Sequence, residues 1–329
     1  MDWKALAQRV LDGESPTRQE ALQVLCAPKS ELLEVLQAAF TVRRHHRGLK
    51  VRLHILMNAK SGLCPENCSF CSQSSVSSAP IDQYQLLSKE ALVQGALRAH
   101  TARAWKYCIV TATRGPSWSD LETICEAVRE IRRKVPVTIC ASLGLLTAEK
   151  AQALKEAGVD RYNHNLETSE RFFPSICTTH SYRDRVHTLK RVKQAGIETC
   201  SGGIIGMGER TEDIVELAFA LRELDIDSIP INFLNPVDGT PLAQNRYLTP
   251  SLCLKTLALF RFLNPDKDIR AAGGREVNLR HLQPLVLYPA NSLFAEGYLT
   301  TPGNTATEVH QMIEDFGFEI EKVDDDLPS

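Results

Sequence analysis

"VRLHILMNAKSGLCPENCSFC", residues 51–71, joins a short apolar run to a polar loop that carries three cysteines. The run at 51–57 has the length and the aliphatic content of a buried strand. Cys64, Cys68 and Cys71 follow it with the spacing C-x-x-x-C-x-x-C. In proteins built on parallel strands, reactive side chains gather where the strands end. The fold therefore depends on whether further units of this kind follow along the chain.

Short runs of the same type recur and alternate with amphipathic segments of about 11 to 17 residues. This alternation is typical of βα units around a parallel sheet. Beyond 51–57, strands are predicted at 106–112, 137–143, 161–167, 198–206, 228–234, 268–274 and 291–299. Eight strands with intervening helices predict a closed (β/α)8 barrel of the TIM type. Residues 1–45 are predicted to form a helical extension, and 46–329 the barrel with its C-terminal tail.

Composition is that of an ordinary enzyme domain. The chain has 329 residues, of which 43% are hydrophobic and 24% charged, and its formal net charge is -2. This charge balance argues against a nucleic-acid-binding protein. The N-terminal stretch at 1–25 carries charges in every turn, and no apolar run approaches the ~18 residues of a membrane span. We expect a cytoplasmic protein that binds neither nucleic acid nor membrane.

Ten cysteines in such a compartment are expected at metals or in the core and not in disulfides. Cys26, Cys125, Cys177 and Cys253 are assigned to the core, because buried cysteine behaves as a small hydrophobic residue. The three cysteines of the loop at 64–71 suit a soft metal. Zinc normally takes four ligands, whereas a four-iron cluster held by three thiolates leaves one iron open. A cluster or zinc ion closed by a distant cysteine is the alternative.

The three-cysteine loop after the first strand of a β/α barrel resembles the radical S-adenosylmethionine (SAM) superfamily. In that superfamily the amino and carboxylate groups of SAM chelate the open iron. An electron from the cluster then cleaves the sulfonium and gives a 5'-deoxyadenosyl radical. The resemblance implies that Cys64, Cys68 and Cys71 hold a [4Fe-4S] cluster, with SAM as its further ligand.

Within that superfamily, five dispersed segments are similar to the biotin synthase family. They are "NAKSGLCPENCSFCSQS" (58–74), "YNHNLETS" (162–169), "CSGGIIGMGE" (200–209), "PINFLNPVDGTPL" (230–242) and "GGREVNLR" (273–280). This resemblance implies a sulfurtransferase that converts dethiobiotin to biotin by radical insertion of sulfur between two unactivated carbons. Such C–H bonds have no acidity for a base to exploit, so the cofactor must supply the reactive species.

Cys108, Cys140 and Cys200 stand singly on predicted strands, where side chains of one parity point into the barrel. Each can be a core-filling residue. Taken together, they resemble the cysteine ligands of an auxiliary [2Fe-2S] cluster that is consumed as the sulfur donor. Arg270 in "DIRAAGG" matches the fourth ligand of that cluster. Only the resemblance supports this assignment, because a guanidinium normally offers no lone pair.

The resemblance also implies roles for polar residues on the strands and the loops after them. Asn165 and Glu167 match contacts to SAM, which suit its ribose hydroxyls, and Arg185 matches a partner of its carboxylate. Asn163 and Asn232 match residues near the ureido ring of dethiobiotin, which needs both a donor and an acceptor. The alternative for each asparagine is a turn or strand-end residue.

His164 and the glycine-rich run at 202–208 are interpreted without a catalytic role. On a regular strand, His164 faces the side opposite to Asn163 and Asn165, so we expect a structural histidine. The glycines do not match G-x-G-x-x-G, which argues against a dinucleotide site. We expect them to let the backbone approach the adenosyl group of SAM.

Two other classes of protein remain possible at this level. One is another radical SAM enzyme, such as a metallocofactor maturase or an amino-acid isomerase, which needs no sulfur-donating cluster. The other is a non-catalytic iron-sulfur protein with a closed cluster. By family analogy, the partners are dethiobiotin, a reductant protein (flavodoxin or ferredoxin), the iron-sulfur assembly machinery and a second copy in a homodimer.

Overall fold

The structure is a computed structural model that describes residues 1–62 and 64–323. Its β-strands are β1 (Lys50–Lys60), β2 (Lys106–Thr111), β3 (Thr138–Ser142), β4 (Arg161–Asn163), β5 (Glu198–Cys200), β6 (Gly203–Ile205), β7 (Ser228–Phe233), β8 (Asp268–Ala271), β9 (Ser292–Phe294) and β10 (Glu319–Ile320). Its α-helices are α1 (Trp3–Leu11), α2 (Arg18–Cys26), α3 (Leu32–Arg47), α4 (Lys89–Thr101), α5 (Trp118–Lys134), α6 (Ala148–Ala157), α7 (Tyr182–Gln194), α8 (Thr211–Glu223), α9 (Pro250–Leu263), α10 (Arg275–Leu279) and α11 (Ala306–Asp315). Short 3-10 helices lie at Lys29–Glu31, Phe173–Ser175 and Arg280–Leu287. Residues 324–329, the end of the predicted tail, lie outside the described residues.

The strands form a closed parallel barrel in the order β1-β2-β3-β4-β5-β7-β8-β9, and β9 pairs back with β1. β6 continues the line of β5 after a two-residue break and pairs with β7. The predicted (β/α)8 barrel is confirmed. β10 lies outside the ring and pairs with the first residues of β1.

The helices form because their apolar residues recur with helical spacing and polar side chains cap their first turns. In α5, the residues Leu121, Ile124, Val128 and Ile131 are buried. The hydroxyl of Ser117 caps this helix by accepting a hydrogen bond from the Asp120 amide in the first turn. These helices cover the outer face of the strands, which explains why β7 is buried along its whole length. Among the described helices, none is both long enough and apolar enough to cross a membrane.

Some strands end earlier than the sequence predicts. The predicted strand at 161–167 stops at Asn163, and the predicted strand at 268–274 stops at Ala271. Glu167 then adopts a left-handed backbone conformation with φ of 70°. Such a conformation is incompatible with a regular strand. The chain therefore leaves the sheet just where its polar side chains begin.

Helices α1 to α3 precede the barrel and pack against its outer helices α8 and α9. α3 packs against α1 and α9 and ends next to the start of β1. The buried guanidinium of Arg43 donates hydrogen bonds to the carbonyl oxygens of Lys50 (2.8 Å) and Ala290 (3.4 Å), and also to that of Gly48. These bonds tie α3 to the floor of the barrel. The opposite end, where the strands finish, is left for the site.

Candidate active site

A cavity of about 290 Å³ opens at the carboxyl ends of the strands. The strand ends form its walls together with the segment at 298–301, which lies after β9. Cys200 lies directly behind the wall and is fully buried. The predicted site residues that line the cavity are Cys64, Cys68, Cys71, Cys108, Cys140, Asn163, Asn165, Glu167, Arg185, Asn232 and Arg270. The fold thus brings all the predicted site residues to one place.

The loop with the three cysteines follows β1 and folds over the cavity. It is closed by hydrogen bonds from the Cys71 amide to the Cys68 carbonyl (3.2 Å) and from the Ser75 amide to the Glu66 carbonyl (2.9 Å). Burial raises the pKa of the Cys64 thiol, and it raises that of Cys71 to about 11. Without a metal these thiols therefore keep their protons at neutral pH. Three thiols on one loop fit a [4Fe-4S] cluster in which one iron has no protein ligand.

Cys177 lies beside this loop, although its sequence context predicted only a core position. It packs in a small apolar cluster with Phe173 and Met207, and its Sγ is 3.7 Å from that of Cys68. The hydrogen bond from Cys68 lowers the pKa of Cys177 to about 3, whereas this bond and burial raise the pKa of Cys68. No sequence pattern connects Cys177 with the loop, because the contact spans 109 positions.

The second predicted ligand set meets inside the barrel, where Cys108, Cys140 and Arg270 line the cavity and Cys200 lies behind its wall. Cys108 and Cys140 are paired across β2 and β3, and Cys200 lies further round the ring at the end of β5. The Nη1 atom of Arg270 is 3.9 Å from the Cys200 Sγ, and its Nη2 donates to the Ser228 hydroxyl (2.8 Å). The Nε of Arg270 is buried and has no hydrogen-bond partner among the described residues. A buried donor without a partner and three inward thiols fit an anionic group held between them.

The thiols of the second set and the Arg270 guanidinium shift one another's pKa values. The hydrogen bond between Cys108 and Cys140 lowers the pKa of Cys108, with help from the Arg270 charge, and raises the pKa of Cys140. Burial opposes the charge on Arg270, but the neighbouring Cys200 and Asp268 raise its pKa. Arg270 is therefore a cation in the structure as it stands.

The three residues predicted to bind SAM form one hydrogen-bonded group on the cavity wall. The Nη1 atom of Arg185 donates to the Asn165 carbonyl (2.7 Å) and lies 3.3 Å from Glu167 Oε1. The Asn165 amide donates to Glu167 Oε2 (3.4 Å). Burial raises the pKa of Glu167, which the Arg185 charge partly offsets. The group offers carboxylate and amide oxygens beside a guanidinium.

Glu66 and His180 hold Arg185 in position, and sequence reasoning did not single them out. The Arg185 Nε donates to His180 Nε2 (2.9 Å), and His180 Nδ1 contacts the Glu66 carboxylate. All three side chains are buried. Glu66 lies within "CPENC" and His180 in "TTHSYRDR", so their closeness to cysteines and to Arg185 is the only signal that the sequence offers.

The two asparagines predicted to bind substrate are part of the cavity wall. The Asn163 amide nitrogen is 3.3 Å from the Cys200 Sγ. Asn232 is held by the backbone, because its amide donates to the Gly203 carbonyl (3.3 Å) and its oxygen accepts from the Gly273 amide (2.9 Å). The amide of each asparagine is therefore held in place where the residue lines the cavity.

The side chains of Asn163 and Asn165, on either side of His164, contact each other at 3.2 Å and so lie on one face. His164 lies between them beside the cavity, and its Nε2 is buried without a hydrogen-bond partner among the described residues. This agrees with the expectation of a structural histidine that faces away from the two asparagines. Burial holds the pKa of His164 well below its usual value.

The glycines at 202 and 203 are needed for packing of backbone against backbone. A Cβ at Gly202 would overlap the Pro230 carbonyl, and one at Gly203 would overlap the Glu167 carbonyl. The described chain itself therefore accounts for both glycines. Their absence of side chains lets β6 and the Glu167 turn lie together.

Comparisons with known proteins agree with this geometry. Residues 60–221 match the family described as the Radical SAM superfamily, and 230–319 match the Biotin and Thiamin Synthesis associated domain. A biotin synthase of Halalkalibacterium halodurans is 54% identical, and the alignment covers 99% of this chain and 98% of the relative. A biotin synthase of Bacillus subtilis is 53% identical, with 98% and 96% covered.

Solved structures of lower identity share the fold. Methylornithine synthase superposes with a TM-score of 0.85 at 21% identity, over 96% of this chain and 97% of its own. An FeFe-hydrogenase maturase of Carboxydothermus hydrogenoformans gives 0.82 at 17% identity, over 96% and 78%. At these identities the likeness concerns the barrel and its helices alone.

The closed barrel, the three-cysteine loop at its mouth and the match over 60–221 define a radical SAM enzyme, which carries a [4Fe-4S] cluster and uses SAM. The near full-length identity to the curated relatives is more specific. This chain belongs to the biotin synthase family.

Proposed function

We propose that dethiobiotin is converted to biotin inside this barrel, with a [2Fe-2S] cluster on Cys108, Cys140, Cys200 and Arg270 as the sulfur donor. The observation that carries the proposal is that Cys108, Cys140 and Arg270, from three strands, line one cavity, and that Cys200 on a fourth strand contacts Arg270 at its wall. Asn163 lines the cavity, and its amide contacts Cys200 of the second set.

The position of each set supports the ligand assignments that the family resemblance implies. Cys64, Cys68 and Cys71 lie at the mouth of the barrel, where a bound cluster remains accessible to an electron donor and to SAM. The second set is buried deeper, with Cys200 and Arg270 almost fully enclosed. When bound, the first cluster supplies the electron that cleaves SAM, and the second supplies sulfur.

Asn165, Glu167 and Arg185 are proposed to hold SAM between the two sets. The carboxylate of Glu167 and the amide oxygen of Asn165 are suitable acceptors for hydroxyl groups. Arg185 provides a charged donor for a carboxylate, and Glu66 and His180 fix its orientation. Because these side chains are buried, a bound ligand replaces water around them.

The barrel wall has a protective task in this chemistry. A carbon radical reacts with whatever hydrogen source or oxygen reaches it first. The apolar side chains of Leu56, Val110, Phe294 and Tyr298 surround the second cysteine set, while the segment at 298–301 covers the cavity. Thr300 in this segment is tied to the three-cysteine loop by a hydrogen bond to Ser72 of 2.8 Å. The chain thus keeps water from the space between substrate and sulfur.

Partners and surroundings complete the proposal. An electron must come from outside the chain, so a small reductant protein such as flavodoxin or ferredoxin is proposed. Consumption of the second cluster requires iron-sulfur assembly machinery to rebuild it. We further propose a homodimer in the cytoplasm, with residues 1–45 as a helical extension and 46–329 as the catalytic unit.

Metal analysis tests the central point. Anaerobically reconstituted protein should contain one [4Fe-4S] and one [2Fe-2S] cluster per chain, measured by iron and sulfide content and by Mössbauer spectroscopy. With SAM, dithionite and dethiobiotin it should form biotin, and the two-iron signal should fall as biotin appears. A chain that holds only the four-iron cluster yet forms biotin in full would contradict the proposal.

Substrate binding should depend on both asparagines. Asn163→Ala and Asn232→Ala should each weaken dethiobiotin binding about tenfold to a hundredfold, because losing a buried hydrogen bond costs about 1 to 3 kcal/mol. Equilibrium binding in the presence of SAM measures this, and SAM binding itself should change little. Asn245→Ala is a matched control, since its amide also donates to a backbone carbonyl but lies outside the cavity. Unchanged dethiobiotin affinity in both test variants would make these asparagines purely structural.

A further inference from the structure

The loop between β1 and α4 spans residues 61–88 and contains no helix among its described residues. A loop of this length keeps one shape only where bonds to other parts of the chain hold it. The three-cysteine loop, which is its first part, contacts the segment at 176–180, just before α7. These contacts decide where the three thiols lie.

Asn67, the residue before Cys68, bonds to two consecutive residues of that segment. Its Oδ1 accepts hydrogen bonds from the backbone amides of Thr178 (3.0 Å) and Thr179 (3.2 Å), and its Nδ2 donates to the Thr178 hydroxyl (2.7 Å). The backbone amide of Asn67 donates to the Thr179 hydroxyl (3.2 Å). Both polar ends of the side chain are therefore used on the same short segment.

The neighbours of Asn67 bond to the same segment. The Ser69 amide donates to the Ile176 carbonyl (2.9 Å), and the Glu66 carboxylate contacts the Thr179 hydroxyl and the His180 ring. The segment is a firm support, because Ile176 and His180 are buried. Three of the residues between the first and the last loop cysteine are thus fixed to a distant part of the chain.

We propose that Asn67 is a positioning residue for the [4Fe-4S] cluster, because its bonds to Thr178 and Thr179 clamp the three-cysteine loop to the segment at 176–180. Asn67 makes no bond to metal and acts through the backbone on either side of it. A loop that is already fixed loses little conformational freedom when its thiols bind a cluster, so the cluster is held more tightly. The proposal rests on the assignment of the three loop cysteines to this cluster, which is itself proposed above.

Hydrogen exchange tests the clamp separately from the metal. In the full chain stripped of iron and sulfide under anaerobic conditions, amides at 64–72 should exchange about tenfold faster or more in Asn67→Ala, since losing buried hydrogen bonds shifts an equilibrium by about that factor. Mass spectrometry of peptides from this loop measures the rates. Asn67→Asp keeps an oxygen acceptor for both threonine amides and should restore most of the protection. Amides of β7 should exchange as before, which shows that the barrel is intact.

Cluster retention tests the consequence for the holoenzyme. Under anaerobic conditions with an iron chelator, the reconstituted four-iron cluster should be lost about tenfold faster or more in Asn67→Ala and at a nearly normal rate in Asn67→Asp. The EPR signal of the dithionite-reduced protein follows this loss. Asn264→Ala is a matched control, because it removes an asparagine amide that donates to the Phe260 carbonyl (3.3 Å) at the end of α9, outside the cavity lining. It should leave both loop exchange and cluster loss unchanged.

The outcomes separate this proposal from the ligand assignment on which it rests. Unchanged exchange of the loop amides in Asn67→Ala, or an Asn67→Asp chain as loose as Asn67→Ala, would overturn the clamp whatever the metal ligands are. Faster exchange with normal cluster retention would overturn the positioning role if Cys68→Ala loses the cluster, because the loop would then hold it without the clamp. If Cys68→Ala keeps the cluster, the ligand assignment itself is wrong, and the proposal is wrong with it.

Discussion

Replacing Cys64, Cys68 or Cys71 with alanine should abolish formation of 5'-deoxyadenosine from SAM. These thiols lie together at the mouth of the barrel. A four-iron cluster that loses one of its three protein ligands is not bound stably there. Without the cluster, no electron reaches the sulfonium. Chromatographic assay of 5'-deoxyadenosine after anaerobic reconstitution with iron and sulfide measures the effect, with dithionite as the reductant.

Cys253→Ala provides the matched control for these variants. It makes the same chemical change at a buried cysteine in α9, remote from the cavity lining, and should retain both the cluster and SAM cleavage. SAM cleavage at the normal rate by any one of the three loop variants would remove that cysteine from the ligand set.

Replacing Cys108, Cys140 or Cys200 with alanine should have a different and equally large effect. These variants keep the loop at the barrel mouth intact, so they should still cleave SAM, at a reduced rate. They should form no biotin, and the visible absorption of the two-iron cluster should weaken or vanish. Parallel assays of 5'-deoxyadenosine and biotin distinguish this outcome from general loss of the fold, because only one of the two products disappears.

Isotope labelling tests directly whether the second cluster donates the sulfur of biotin. A second cluster rebuilt with labelled sulfide should place the label in the first biotin formed, as measured by mass spectrometry. Unlabelled biotin from a fully labelled cluster would rule out the donor role even if the ligands are correct. Conversely, full biotin yield from Cys140→Ala protein without a two-iron cluster would return the strand cysteines to the role of core-filling residues.

Much of the fold was predictable because it rests on local patterns. A strand buried on both faces shows as an aliphatic run, as at 51–57 and 228–234. A helix buried on one face shows as apolar residues at helical spacing, such as Leu121 and Ile124. The ends of the strands were less predictable. Nothing local in "RYNHNLE" shows that the strand stops at Asn163, because Glu167 takes its left-handed conformation beside Gly203, a residue distant in the chain.

Local sequence was sufficient to predict the class of barrel, the three-cysteine loop and, through the family resemblance, the residues for which roles are proposed. Which of the other polar residues join them depends on the folded chain. Glu66 meets His180 across 114 positions of the chain, and Cys68 meets Cys177 across 109. Local propensity acts over a few residues, whereas closure of the barrel brings loops from distant strands to one rim. Contacts made at that rim are therefore absent from any short stretch of sequence.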